Sequence, residues 1–151
     1  MKNFLLVAVI VGILLSCSLD KGIEMENPIE KSNAEEYPQK WELVEMSGSI
    51  ANVPPSTGSD MAWQEYYLLY EDNTFVKSRT QDNITTEESG NYAFVTLSDG
   101  EYLELSYPSD NELIGNCTGE PKELLRLETV NKLVGTWWAC DGPGLFYEKT
   151  D

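Results

Sequence analysis

The sequence predicts an all-β domain, a small antiparallel meander closed into a barrel of eight to nine strands. Three observations carry this. Short β-rich segments recur at steady spacing. Explicit turn chemistry separates them. No segment after the first apolar stretch sustains a 3.6-residue period, so no helix is expected there. Meanders of eight or nine strands avoid exposed edges by closing.

The strands follow in order as Trp41–Ser47, Trp63–Tyr70, Thr74–Arg79, Tyr92–Leu97, Tyr102–Tyr107, Glu112–Cys117, Leu124–Glu128, Val134–Cys140 and Leu145–Lys149. Turns fall at Glu71-Asp72-Asn73, Ser98-Asp99-Gly100, Pro108-Ser109-Asp110-Asn111 and Asp141-Gly142-Pro143-Gly144, whose residue types favour chain reversal. Leu103, Leu105 and Tyr107 share one face, with Tyr102, Glu104 and Ser106 on the other. Leu125 and Leu127 oppose Leu124, Arg126 and Glu128 in the same way. Such alternation marks strands with one buried face. Trp63–Tyr70 is apolar on both faces, so a second surface covers it. The stretch Gly48–Ala62 carries loop chemistry and is long for so small a domain. It reads equally as a functional loop or as an insertion.

The amino terminus differs from the rest. Lys2 precedes an apolar run from Phe4 to Leu15, followed by Ser16-Cys17. About twelve apolar residues make a signal-peptide core, whereas a spanning helix needs about twenty. The Leu14-Leu15-Ser16-Cys17 segment resembles the lipobox of bacterial lipoprotein signals. That resemblance implies cleavage before Cys17 and acylation of Cys17 with palmitate-type chains. Acyl chains would then attach the protein to a membrane. Ser18 follows the cysteine where many inner-membrane lipoproteins carry Asp. The expected location is therefore the bacterial cell envelope, at the outer membrane. The domain division is 1–16 signal peptide, 17–40 lipidated cysteine and acidic tether, and 41–151 barrel. The tether carries Glu24, Glu26, Glu30, Glu35 and Glu36. It buries little, reads as disordered, and spans roughly 25 Å as a coil.

Charge and composition exclude several functions. The chain has 26 Asp and Glu against 10 Lys and Arg, a formal charge of −16. Loss of the segment through Ser16 removes Lys2 and takes the charge to −17. Such a chain repels phosphate backbones, so no nucleic-acid partner is expected. The absence of histidine excludes Ser-His-Asp and Cys-His machinery and His-ligated zinc. No phosphate-binding, dinucleotide or EF-hand motif occurs. The expectation is a non-enzyme with no catalytic residues, no metal and no cofactor. With Cys17 acylated, Cys117 and Cys140 form an even pair in an oxidising compartment and are expected as a disulfide. Closing a loop of about 24 residues is worth roughly 3.5 kcal/mol in the chain-entropy estimate. The sequons Asn83-Ile84-Thr85 and Asn116-Cys117-Thr118 are read as chance matches behind a bacterial signal.

Four segments carry a family likeness. They are Lys40-Trp41-Glu42-Leu43, the long first loop, Leu69-Tyr70-Glu71-Asp72-Asn73-Thr74-Phe75, and Ser89-Gly90-Asn91-Tyr92 leading into Tyr102-Leu103-Glu104-Leu105. The tail from Cys140 to Lys149 fits a closing hairpin. Together they resemble the lipocalin-like lipoproteins of Bacteroidetes-type bacteria. The glycine of the lipocalin Gly-x-Trp opening is missing, since Gln39 and Lys40 precede Trp41, and so is the long carboxy-terminal helix. The resemblance implies that Trp41 closes the barrel floor under a stacked arginine, Arg126 or Arg79.

Two functions are expected from different classes. In the first, the barrel holds a small apolar or amphipathic ligand against Trp63, Tyr66, Tyr70, Phe75, Tyr92, Phe94 and Tyr107. The same aromatics could instead fill a solid core, since an eight-stranded barrel is just wide enough for either. In the second, the acidic domain docks on a basic protein such as lysozyme or a protease, with Cys140–Gly144 as a disulfide-tethered loop.

Overall fold

The computed structural model describes residues 36–48 and 53–150. Nine strands form one antiparallel sheet: β1 Gln39–Ser47, β2 Ser56–Thr57, β3 Gln64–Leu69, β4 Thr74–Gln81, β5 Ile84–Leu97, β6 Gly100–Ser106, β7 Lys122–Thr129, β8 Lys132–Gly135 and β9 Gly144–Thr150. From β3 to β9 each strand pairs with the next, and β1 pairs with both β3 and β9. Eight strands therefore close on themselves as a barrel. The two-residue β2 lies on the distal half of β1, with Glu45 opposite Thr57 and Met46 opposite Ser56. No α-helix occurs among the described residues; 3₁₀ turns span Gly58–Asp60 and Trp137–Cys140.

The side-chain period of two decides what lies inside. Trp41 and Leu43 from β1, Tyr67 and Leu69 from β3, Leu103 and Leu105 from β6, Leu125 from β7, Leu133 from β8 and Tyr147 from β9 are all buried. Trp41, Tyr67, Phe75 and Tyr147 are the largest fully buried apolar side chains. The closing strand keeps register through a bulge between Leu43 and Glu45, which lets both Leu43 and Met46 point inward. Strand β5 is the long one. It pairs with β4 from Ile84 to Asn91 and with β6 from Asn91 to Leu97. Gly90 sits just before that handover, where an added Cβ would collide with the Ser106 carbonyl oxygen and the Phe75 ring. Only glycine permits so close an approach.

Three expectations are corrected. Glu112–Cys117 is not a strand. The Asn111 side chain accepts from the Leu113 amide at 3.0 Å, and that of Asn116 accepts from the Thr118 and Gly119 amides at 3.3 and 3.1 Å. These local bonds replace ladder bonds. The strand expected over Val134–Cys140 stops at Gly135 and becomes a 3₁₀ turn. Strand β5 starts at Ile84 rather than Tyr92 because Asp82 and Asn83, at φ +53° and +63°, make a tight hairpin of the primed type without glycine. The disulfide Cys117–Cys140 is present. Of the stretch Gly48–Ala62, residues 49–52 lie outside the described residues, as do the signal segment, Cys17 and most of the tether.

Candidate functional site

The two ends of the barrel differ. At one end, the segment after β6 folds across the opening. Leu113 from that segment and Met61 from the β2–β3 connection are buried, and Ile114, Trp63 and Trp137 pack against the core. The disulfide ties this segment to the 3₁₀ turn that follows β8.

Beneath the plug lies a group of ionic and phenolic side chains from β3, β4, β7 and β9, joined by Tyr107 just past β6. Lys77 is wholly buried, and Glu65 and Glu123 nearly so. The Lys77 ammonium donates to Glu123 Oε1 at 2.8 Å and to the Leu113 carbonyl at 2.5 Å, and stands 3.3 Å from Glu65 Oε1. Arg79 Nε donates to Glu65 Oε2 at 2.5 Å, and its guanidinium stacks 4.5 Å from the Trp63 ring. Tyr107 and Tyr67 donate to Glu123 Oε2 at 2.6 and 3.2 Å, and Tyr147 donates to Glu65 Oε1 at 2.6 Å. The Gly115 amide completes the shell of Glu123 at 2.9 Å. Two cations face two carboxylates, so the group is neutral and its polar atoms are bonded. Such burial is sustainable only when every charge is paired.

At the other end the described residues leave a cleft. Gln39 and Trp41 at the start of β1, Phe94 and Thr96 late in β5, Glu101 in β6, Leu127 and Val130 at the end of β7, and Lys149 in β9 line a cleft of about 260 Å³. Trp41 forms its floor and is only 2% exposed, whereas Phe94 is 47% and Val130 80% exposed on the rim. The Lys149 ammonium lies 5.8 Å from the centre of the Trp41 ring. Gln39 Oε1 accepts from the Trp41 indole N–H at 3.4 Å. An indole nitrogen only donates, so this bond fixes the amide orientation. It leaves Gln39 Nε2, buried at the cleft, as a donor without a partner.

The seven aromatics expected around one ligand do not converge. Trp63 is at the plugged end under Arg79. Tyr66 is on the outer wall, where Lys40 lies 5.1 Å from its ring centre, and Tyr70 is half-buried just beyond β3. Phe75 and Tyr107 pack edge to face inside the core with ring centres 5.0 Å apart. Tyr92 is buried, with its hydroxyl donating to the Tyr70 carbonyl at 2.9 Å. Phe94 alone of the seven lines the cleft. Trp41 does sit inside near one end of the barrel, but Arg126 does not stack on it. Arg126 alternates with inward Leu125 and Leu127, so it faces out and its guanidinium reaches the Asp99 carbonyl at 3.5 Å. Lys149 takes the place over Trp41, and Arg79 stacks on Trp63 instead.

The residues that sequence reading missed are Glu65, Lys77 and Glu123 within the core, and Gln39 and Lys149 at the open end. Each shares strand parity with core apolar residues, which was the available signal. Among the described residues no cluster of three or more His, Cys, Asp or Glu side chains is placed to hold a metal. No family model, no curated protein and no solved structure matches the chain.

The buried group makes two measurable demands. Replacing Lys77 by Met leaves two carboxylates buried beside one cation. The expected loss is about 3–5 kcal/mol of unfolding free energy, read by urea denaturation at neutral pH. Stability also depends on pH at both extremes. Burial raises the Glu65 pKa, but Lys77, Arg79 and the Tyr147 hydroxyl outweigh it and hold the carboxyl below its ordinary value. Its contribution is present above pH about 4.5 and is lost as pH falls through the folded-state value. Burial first, then the neighbouring carboxylates, push the Tyr67, Tyr107 and Tyr147 phenols well above 10. Their contribution is present below pH about 10 and is lost as pH rises beyond it. Denaturation midpoints should therefore fall on both flanks; a flat alkaline flank would contradict the buried phenols.

Proposed function

We propose that the chain is a lipid-anchored envelope protein whose barrel binds a small amphipathic molecule at its open end, not within its lumen. The observation that carries this is the cleft over Trp41. It combines an indole floor, an exposed apolar rim of Phe94 and Val130, and a buried amide donor, Gln39 Nε2, that lacks a partner. An orphaned buried donor is costly, and a ligand oxygen would satisfy it. The Lys149 ammonium beside the same ring favours an anionic oxygen, such as a carboxylate. The apolar remainder of the ligand would lie on Trp41, Leu127 and Phe94. Sites that enclose drug-sized ligands run to about 300–1,000 Å³. A cleft of about 260 Å³ suits a short acyl chain, or the end of a longer one that projects into solvent. The lumen is filled by Trp41, Tyr67, Phe75, Lys77 and Tyr147, which supports a ligand seated at the mouth. The lipobox-like Leu14-Leu15-Ser16-Cys17 supports the anchor.

Tryptophan fluorescence tests the binding, using the chain from Ser18 and a brominated medium-chain carboxylate as quencher. Saturable quenching is expected, most of it lost in Trp41→Phe. Phe94→Asp should weaken the apparent affinity about tenfold, and Gln39→Leu should reduce the preference for the carboxylate over the matching alcohol. Quenching that is equal in Phe94→Asp, or absent altogether, would remove the reading. The anchor is tested separately by growing cells expressing the full chain on an alkyne palmitate analogue. Label should enter the intact chain and not Cys17→Ser. Label in both, or in neither, would end the lipoprotein reading without touching the ligand test.

A further inference from the structure

A second surface lies on the outer wall, away from the mouth. There β1, β8 and β9 turn Glu45, Val134 and Phe146 outward in one row, since Glu45 pairs with Phe146 and Phe146 with Val134. The 3₁₀ turn Trp137–Cys140 stands beside that row and holds Trp138 out in solvent at 62% exposure. Val134, Phe146 and Trp138 line a groove of about 510 Å³ together with Glu128 and Asp141. A neighbouring hollow of about 270 Å³ shares Glu128, Val134 and Phe146 with it and extends it past Glu45, Lys132 and Glu148.

The charges along this double groove are uneven. Glu45, Glu128, Asp141 and Glu148 face it against the single cation Lys132, and Lys132 is paired with Glu148 at 3.3 Å. Arg126 follows Val134 across the sheet, but its guanidinium turns to the Asp99 carbonyl. The Trp138 turn is held on both sides. Its last residue, Cys140, is bonded to Cys117. Gly142 lies so close under the Trp137 ring that a Cβ would not fit. An exposed tryptophan on a rigid turn loses little entropy when covered, and such residues dominate interface energies.

We infer that this groove docks a basic segment of a partner protein, apolar side chains laid on Val134, Phe146 and Trp138, and Lys or Arg facing Glu45 and Glu128. The carboxylate ring selects the occupant by charge, and the strongly acidic chain speeds its approach. This surface is independent of the cleft over Trp41 and stands or falls without it.

The test uses the full chain in a non-ionic detergent and a fluorescein-labelled peptide of alternating Lys and Val as probe, read by anisotropy. The expected result is saturable binding that weakens at least tenfold in Trp138→Ala and severalfold in Glu128→Gln. Raising salt from about 25 to about 200 mM should weaken it too, through screening, while Phe94→Asp leaves it unchanged. An alternating Glu and Val peptide should not bind. Trp138 and Glu128 are exposed, so neither variant threatens the fold, and the far-ultraviolet spectrum should match the parent. Equal binding by Trp138→Ala would reduce the effect to general attraction and overturn the groove. No binding would overturn it as well. A sedimentation dimer that Trp138→Ala dissolves would hand the groove to a second copy and also overturn the basic partner.

Discussion

Lys77 is the constraint around which the rest of the barrel is arranged. An ammonium with no solvent exposure needs an acceptor for every proton and a counter-charge beside it. Here Glu123 on β7 and the Leu113 carbonyl of the plug accept from it, and Glu65 on β3 stands 3.3 Å away as a second counter-charge. That requirement couples register to topology. A one-residue slip of β3 or β7 would turn its carboxylate to the outer wall and leave the ammonium underbalanced in the core. The plug is bound into the same account, because its carbonyl at Leu113 and its amide at Gly115 are both used. The closed end is thus closed for an electrostatic reason as well as an apolar one.

Such a group is not an efficient source of stability. Apolar side chains of similar volume often do as well or better, whereas removing one partner is costly. Its effect here is on shape. Lys77, Glu65, Glu123 and three phenols must all be matched at once, a demand that leucines do not make. The interior therefore ends up solid at the plugged end, and the Tyr67 and Tyr147 rings, 5.1 Å apart edge to face, carry the fill toward the middle. The cleft above Trp41 lies where this fill stops. The polar core and the position of the cleft are two consequences of one arrangement.

Much of the fold was legible in the sequence because it rests on local signals. Turn chemistry at Glu71-Asp72-Asn73 and Ser98-Asp99-Gly100, and alternation in Tyr102–Tyr107 and Leu124–Glu128, led to strands that lie where expected to within a few residues, except for the early start of β5. The meander order follows from the shortness of those links. The cysteine pair was legible by number. What escaped was non-local. Lys77 falls two residues after Phe75, Glu65 two before Tyr67, and Glu123 two before Leu125, so all three charges sit on core parity. Taken singly, each is one charged residue on an otherwise apolar face. Only the closure of the barrel reveals that three such exceptions meet. Glu112–Cys117 misled for the opposite reason: its composition suits a strand, but Asn111 and Asn116 bind their own backbone first. Residue type carries no parity, which is why Tyr66 and Phe94 lie on different sides of the wall.

The neutral core also decides how the surface is charged. Lys77 and Arg79 are two of only ten cationic side chains in the chain, and both are matched inside by Glu65 and Glu123. The interior group sums to zero, so the whole formal charge of −16 belongs to the surface and the amino-terminal segment. Eight Lys and Arg remain to oppose 24 carboxylates there. Several of the eight are paired in turn: Lys40 with Glu42, Lys122 with Glu104 and Lys132 with Glu148. A wall of this kind repels acidic neighbours and anionic head groups alike. Against that background Lys149 stands out, because it lies over an indole at the open end rather than in one of these exposed surface pairs. Among the described residues it sets a cation beside the cleft over Trp41. The outer groove beside Trp138 keeps the opposite preference. Ligand and partner would then be sorted by charge before either touches the surface.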